Sequence, residues 1–233
     1  METKDYIVIG ISGTALTISL LSLVITLIQK HKETKRTIRK TITDNLESIA
    51  KSNIEINKLK GQKDNDFNSE ANISIRRNIN SQKRAVLSNA KYLIDRNSDI
   101  STESDYNILA GAFSDIGDQM LAEKYWKLSV DNSYNPEILV MNLRGFGNYK
   151  FANNDIEQAR ILYHQATQIK LTETDEHSSL QCDTYLMLSD HERNIDKEKF
   201  ENCLTNAMEY LDKIKNENRK NEMHERIRRR LPK

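Results

Sequence analysis

Glycine, proline and cysteine are scarce in this chain of 233 residues, which contains 7 Gly, 2 Pro and 2 Cys. Sheet-rich folds need frequent Gly and Pro in their turns, and nucleotide-binding α/β folds need glycine-rich loops, so the composition disfavours both. The two cysteines, Cys182 and Cys203, are too few for a disulfide framework or a four-thiolate zinc site. The sequence therefore predicts an all-α protein of a reducing compartment, with no structural metal and no cofactor.

One long apolar segment is hidden by the average composition. Residues 6–29 are 24 residues without a charge, rich in Ile, Leu and Val. As a helix at about 1.5 Å per residue they reach roughly 36 Å, enough to cross a bilayer core of about 30 Å. The residues on either side do not fit a cleaved signal peptide. We therefore expect a single N-terminal transmembrane helix; a buried helix of a soluble core is the alternative.

The charges that flank this segment are asymmetric. Residues 30–40 contain six Lys or Arg and one Glu, whereas residues 1–5 contain two acids and one base. The positive-inside rule then predicts that residues 1–5 form a short stub outside the cytoplasm and that the rest of the chain is cytoplasmic. The expected location is the inner (plasma) membrane of a bacterial cell, with one pass through the lipid.

One face of the apolar segment carries small and hydroxyl side chains. This stripe consists of Ser12, Ala15, Ser19, Ser22 and Thr26. In lipid, small residues let helices approach closely and hydroxyl groups hydrogen-bond between helices, so the stripe predicts self-association into a homo-oligomer. The alternative is that the hydroxyl groups bond to the backbone of their own helix.

Residues 30–60 combine the basic flank with apolar residues at heptad spacing, which Asn45 and Ser52 interrupt. We expect a helical stalk, either a short parallel coiled coil or an amphipathic helix that lies on the lipid headgroups. Residues 61–72 are polar and are expected to be a linker. Helical periodicity resumes at residue 73, where a second domain is expected to begin.

A repeated pattern runs from residue 103 to about residue 170. Its two copies are 37 residues apart and share a small-x3-aromatic-x2-small motif: Ala122-x3-Trp126-x2-Ser129 and Ala159-x3-Tyr163-x2-Ala166. A weaker third copy is Phe200-x3-Leu204-x2-Ala207. The pattern resembles the tetratricopeptide repeat, a helix-turn-helix unit of about 34 residues. The resemblance implies a domain of α-helical hairpins over residues 73–212.

The same resemblance implies a function. Tetratricopeptide proteins bind peptides or partner domains in a concave groove lined by the first helix of each unit. Arg144 and Asn148 are similar to the carboxylate-binding positions of that family, while Asn107 and Gly111 stand at the corresponding sites of the first unit and complete no such clamp. We therefore expect a general polar groove at Asn107, Arg144 and Asn148 that binds a protein or peptide partner; a solvated face is the alternative.

No arrangement of catalytic residues stands out. The five histidines have no metal-ligand spacing, Cys182 lies in no known nucleophile motif, and no glycine-rich phosphate loop is present.

The basic tail, residues 213–233, holds nine Lys or Arg against three acids. It could contact anionic lipid or the acidic surface of a neighbouring subunit, or simply be a solubilising helix end. Nucleic acid is disfavoured because no aromatic residues are interspersed for base stacking.

Together these features predict a non-enzymatic, membrane-anchored scaffold that binds a protein or peptide partner at the cytoplasmic face of the membrane. The alternative is a membrane effector or sensor. In that case the repeat domain detects a partner or ligand, and the associating transmembrane helices perturb the bilayer.

Overall fold

The computed structural model describes residues 3–60 and 69–231, with side chains described for residues 19–59 and 69–231. Within these residues all regular elements are helices, so the predicted all-α class is confirmed. Residues 1, 2 and 61–68, which belong to the expected stub and linker, lie outside the described part. The chain divides into two compact units, Met1–Ser101 and Thr102–Lys233.

The first unit is a hairpin of two long helices, α1 (Thr3–Lys60) and α2 (Glu70–Arg96), followed by a short 3₁₀ turn at Ser98–Ile100. Ser69 caps the start of α2: its hydroxyl oxygen accepts a hydrogen bond from the backbone N–H of Asn72 at 3.3 Å. The buried apolar residues of this hairpin are Ile42, Leu46 and Ile49 from α1 and Leu87, Ala90 and Ile94 from α2.

The expected stalk is therefore helical, but its apolar face packs inside its own chain. Ile42 and Ile49 of the heptad pattern are 0% and 1% exposed because α2 covers them. Neither arrangement expected from the heptad pattern is found, since a parallel coiled coil and a headgroup-bound helix would both need this face to be open. Residues 73–101, expected to start the repeat domain, belong to the first unit.

Among the residues that the structure describes, none of the helices combines the length and the apolar character that a membrane span requires. The transmembrane helix expected at residues 6–29 is therefore not supported by the structure. Within this segment, side chains are described only from Ser19 onward. Ser12 and Ala15 of the predicted association stripe accordingly lie outside the described side chains.

The second unit contains seven helices over its described residues. They are α3 (Glu103–Asp115), α4 (Gln119–Asp131), α5 (Pro136–Ala152), α6 (Ile156–Gln168), α7 (Asp175–Glu192), α8 (Lys197–Asp212) and α9 (Glu217–Arg228). The most extensive contacts join α3 to α4, α5 to α6 and α7 to α8. The unit is thus three successive helical hairpins and a final single helix, an arrangement compatible with a tetratricopeptide-like fold.

Local sequence signals determine where these helices begin. Thr102 and Asp105 form a reciprocal capping box at the start of α3, with each side chain accepting a backbone N–H of the other residue. Asn135 accepts the N–H of Ile138 at 2.8 Å, and Pro136 occupies the first turn of α5. The turn between α3 and α4 needs Gly117, whose φ of 82° is in the left-handed region.

Small residues let the two helices of a hairpin approach closely. Ala122 and Ala159 are fully buried. At Gly147 in α5, a Cβ atom would lie 2.7 Å from the ring of Tyr163 in α6. The hairpins also stack through aromatic rings, since the ring centroids of Trp126 and Phe146 are 6.4 Å apart and nearly parallel.

The basic tail is largely a packed helix. Met223 and Ile227 of α9 are buried in one apolar cluster with residues of α7 and α8, among them Leu186 and Leu204. Helix α9 therefore covers the end of the last hairpin, as the terminal helix of a repeat array must do to keep apolar surface from water. Three cations of the tail pair within their own chain, and its contact with lipid or a neighbouring subunit stays a prediction.

Candidate functional site

In the second unit, Asn107 links the α3–α4 hairpin to the α5–α6 hairpin. Its Nδ2 atom donates a hydrogen bond to Oδ1 of Asn142 in α5 at 2.9 Å. The Nδ2 atom of Asn142 in turn donates to the carbonyl oxygen of Ser129 and to the hydroxyl oxygen of Ser133, both at 3.0 Å. Asn142 was not singled out from the sequence, although it is 4% exposed and its amide connects three helical segments.

Arg144 forms an ion pair with the next hairpin. Its Nη2 atom donates to Oδ2 of Asp183 in α7 at 2.9 Å, with side-chain exposures of 12% for Arg144 and 19% for Asp183. The other carboxylate oxygen of Asp183 accepts a hydrogen bond from Arg226 of α9. One carboxylate therefore joins α5, α7 and α9, and its single negative charge is shared between two guanidinium groups that are largely out of water.

Asn148 is also engaged inside the unit. Its Oδ1 atom accepts hydrogen bonds from the hydroxyl of Tyr163 and from Nε2 of His191, the latter at 2.8 Å. The ring of His191 stacks on Phe151 with centroids 4.3 Å apart. Burial lowers the pKa of His191, because the loss of hydration outweighs the attraction of the neighbouring carboxylates, of which Asp190 has the larger effect.

The structure thus places the three predicted groove residues at successive interfaces between helices and does not gather them into one open site. Asn107 contacts α5, while Arg144 and Asn148 contact α7. Each uses its polar group within the protein. Their binding of a partner stays a prediction, and a partner that needed these groups would have to compete with the internal bonds.

A row of ion pairs attaches α9 and the turn that follows it to α7. The pairs are Arg219 with Glu176, Arg226 with Asp183, and Arg230 with Asp190. The three acids are seven residues apart, so they lie along one side of α7. Sequence reasoning counted the charges of the tail and missed this acidic row, whose regular spacing was the available signal.

The loop before α9 is held at the start of α7. The carboxylate of Asp175 accepts the backbone N–H of Lys215 at 2.9 Å and that of Asn216 at 2.7 Å. These backbone hydrogen bonds lower the pKa of Asp175 because they stabilise its charged form. Both ends of the last helix are thereby fixed to α7.

Two adjoining cavities, of about 350 and 510 Å³, lie beside α7 and share Tyr185. In the smaller one, Arg160 binds both carboxylate oxygens of the buried Glu192, at 2.8 and 2.9 Å.

Burial raises the pKa of the Cys203 thiol to about 12 and that of Cys182 to about 11, so neither is an activated nucleophile. Within the described residues, no group of His, Cys, Asp or Glu could hold a metal ion.

The most extensive exposed apolar surface lies on α1. Its members are Leu20, Leu21, Leu23, Val24, Ile25, Leu27 and Ile28, with exposures of 50% to 62%. At about 100° per residue these side chains cover roughly 200° of the helix circumference, and the hydroxyl side chains of Ser19, Ser22 and Thr26 occupy the remaining side. Residues 19–34 are all exposed, and lower exposure begins at Lys35, whose ammonium group pairs with Asp99. This stretch of α1 therefore extends beyond the part that pairs with α2.

The described hydroxyl groups of the association stripe lie on the same stretch. Ser19, Ser22 and Thr26 are exposed, and the hydroxyl of Thr26 donates to the carbonyl oxygen of Ser22 at 2.8 Å. This is the bond within one helix that was the alternative to self-association. An oligomer remains a prediction.

Comparison with known proteins finds no match to this chain among family models, curated proteins or solved structures. A function must therefore be argued from the residues themselves. Among the features described, the exposed apolar stretch of α1 is the one that most clearly requires a partner, because large contiguous apolar surfaces are rare on proteins that stay in water.

Proposed function

We propose that this protein is a non-enzymatic scaffold, anchored in a membrane by the N-terminal part of α1, whose helical hairpins bind a protein or peptide partner. The observation that carries the proposal is the uncharged stretch at residues 20–28, whose large apolar side chains are exposed over a wide arc of α1. This arc is about twice as wide as the roughly 100° apolar stripe of a helix that packs on a single core, and the side that completes it carries hydroxyl groups and no charge, as a membrane span allows.

The energetics favour lipid as the environment of this stretch. Each of the seven large apolar side chains gains about 1.5–3 kcal/mol when it is fully transferred from water to an apolar environment. Moving the whole stretch from water into lipid is therefore favourable by on the order of 10 kcal/mol. The apolar sequence continues upstream to residue 6, which gives the length that a span needs. The cations that follow at residues 30–40 then favour a cytoplasmic location for both units.

The second unit supports the scaffold part of the proposal. Its three hairpins present successive first helices, α3, α5 and α7, and α5 carries the exposed Met141, with Tyr134 just before its start. Their exposed fractions are 52% and 73%. Exposed Met and Tyr side chains are enriched where proteins contact one another, because they offer adaptable or rigid apolar area. We place the partner surface there.

Membrane fractionation of the full-length protein tests the anchor. Wild type should stay with membranes after alkaline carbonate washing, and the double change Leu16→Lys and Leu20→Lys should release it, since both positions are near the centre of residues 6–29, where each Lys costs about 2.5–3.5 kcal/mol. Ile54→Lys with Ile75→Lys is the matched control, because both side chains are exposed apolar residues of the first unit. The anchor would be contradicted if the wild type were soluble or if the double variant in the N-terminal stretch stayed with membranes.

Site-specific photocrosslinking tests the partner surface. A crosslinker at Met141 of α5 should capture one discrete protein, while the same group at Met208 of α8, which is also exposed, should not. Equal products at both positions, or none at Met141, would contradict the scaffold proposal. Depolarisation of cells by the full-length protein would instead favour the membrane effector.

A further inference from the structure

We propose that Lys32, Arg36 and Lys40 of α1 form a binding site for the phosphate groups of anionic phospholipids. The inference rests on the proposed membrane anchor, since it concerns the lipid that surrounds the helix where it leaves the bilayer. It adds a preference for one class of lipid, which anchoring alone does not require.

The three cations lie along one side of α1. They are four residues apart, which places them about 6 Å from one another along the helix and within about one third of its circumference. All three are exposed. The side of the same stretch that packs within the unit lies about 100–120° around the helix from this row: Ile42 is buried there, and Lys35 pairs with Asp99 in the turn after α2.

Their charges are available to a ligand. Within residues 3–60 and 69–231, neither Lys32, Arg36 nor Lys40 forms an ion pair or a side-chain hydrogen bond, and Glu33 is the single acid among residues 30–40. Lys35 differs because its ammonium group is paired with Asp99, which lowers the pKa of that carboxyl group. A row of unpaired cations is complementary to a surface of phosphate groups.

The position of the row relative to the apolar stretch fits the headgroup layer. The exposed apolar stretch ends at Ile28, and Lys32 follows about 6 Å further along the helix. This distance is comparable with the thickness of one headgroup layer. Arg36 and Lys40 lie about 12 and 18 Å from Ile28. Side chains on a helix point towards its N-terminus, here towards the membrane, so these cations come within about one Debye length of the phosphates.

Electron paramagnetic resonance of spin-labelled lipids measures such a preference directly. Full-length protein is reconstituted into vesicles of equal phosphatidylglycerol and phosphatidylcholine, and vesicle flotation first establishes that it is anchored. Labelled phosphatidylglycerol should then be immobilised by the protein about threefold more than labelled phosphatidylcholine, and 1 M salt should reduce this ratio by screening.

Charge-matched variants connect the preference to the row. The triple change Lys32→Gln, Arg36→Gln and Lys40→Gln should bring the ratio close to one. Lys58→Gln, Arg77→Gln and Arg84→Gln remove the same charge from exposed positions further along the first unit and should leave the ratio unchanged.

The outcomes separate this inference from the proposed function. An anchored wild type with a ratio of one, an unchanged ratio in the first triple variant, or an equal loss in the control variant would overturn the lipid site and leave the anchor intact. A protein that fails to float with either lipid would overturn the anchor and the lipid site together.

Discussion

Replacing Gly147 by alanine tests how closely α5 and α6 approach each other. An added Cβ atom would lie 2.7 Å from Cδ2 and 2.9 Å from Cε2 of Tyr163. Carbon atoms attract at about 3.5–4.0 Å, so the ring or the helix would have to move by about 0.8 Å. The ring has little freedom, because Tyr163 is fully buried and its hydroxyl donates to Asn148.

The expected change in the free energy of unfolding combines two opposing effects. Overpacking a close interface costs about 1–3 kcal/mol, and alanine within a helix is about 1 kcal/mol more favourable than glycine. Gly147→Ala should therefore destabilise the second unit by up to about 2 kcal/mol. Gly111→Ala in α3 is the matched control: no atom lies within 4 Å of its added Cβ, so it should stabilise by about 0.5–1 kcal/mol.

Urea unfolding of the full-length protein in detergent, followed by fluorescence, measures both variants. Trp126 is the single tryptophan of the chain and lies in α4, so its emission reports on the second unit, which contains both glycines. The free energies of unfolding of the two variants should differ by about 1–3 kcal/mol. This is the overpacking cost alone, because the preference of a helix for alanine over glycine is common to both variants. If Gly147→Ala were as stable as Gly111→Ala, the close approach of α5 and α6 would be refuted.

Two further predictions use the same unfolding assay. Asp183→Asn should lower the free energy of unfolding by about 1–3 kcal/mol, because Arg144 and Arg226 lose the carboxylate that they share. The control Glu225→Gln should change it by less than about 0.5 kcal/mol, since the ion pair of Glu225 with Arg228 is exposed. Equal effects of the two changes would contradict this account. The pKa of His191 is lower in the folded protein than in the unfolded chain, so its contribution to stability is complete above about pH 6.5 and is lost as the pH falls through the folded pKa. His191→Gln should therefore lose less stability than wild type between pH 7 and 5, and identical pH profiles would refute the link.

The composition predicted the helical class, and local sequence signals account for several helix ends. The scarcity of Gly and Pro, the capping box at Thr102 and the Asn135-Pro136 pair each act over a few residues, so the chemistry of one segment decides the outcome. The close approach at Gly147 follows for a similar reason, because only a small residue allows two helices to touch. These features need no knowledge of distant residues.

The partners of helix faces could not be predicted in the same way. A heptad stripe shows that Ile42 and Ile49 will be buried, but a second copy, a membrane surface and α2 would all bury them equally well. The same holds for Arg144, because its position on a helix suits a peptide carboxylate and the carboxylate of Asp183 alike. Sequence spacing determines which side chains share a face, and tertiary packing determines what that face meets.

The ion pair of Arg144 also limits what the proposed partner can be. A peptide with a free terminal carboxylate would have to displace Asp183, whose exposed fraction of 19% means that the released charge would be poorly hydrated. It would also disturb the bond between Asp183 and Arg226, which helps to hold α9 on the last hairpin. Recognition through the exposed Met141 and Tyr134 carries neither cost. A partner held by its apolar side chains therefore fits this surface better than one held by its C-terminus.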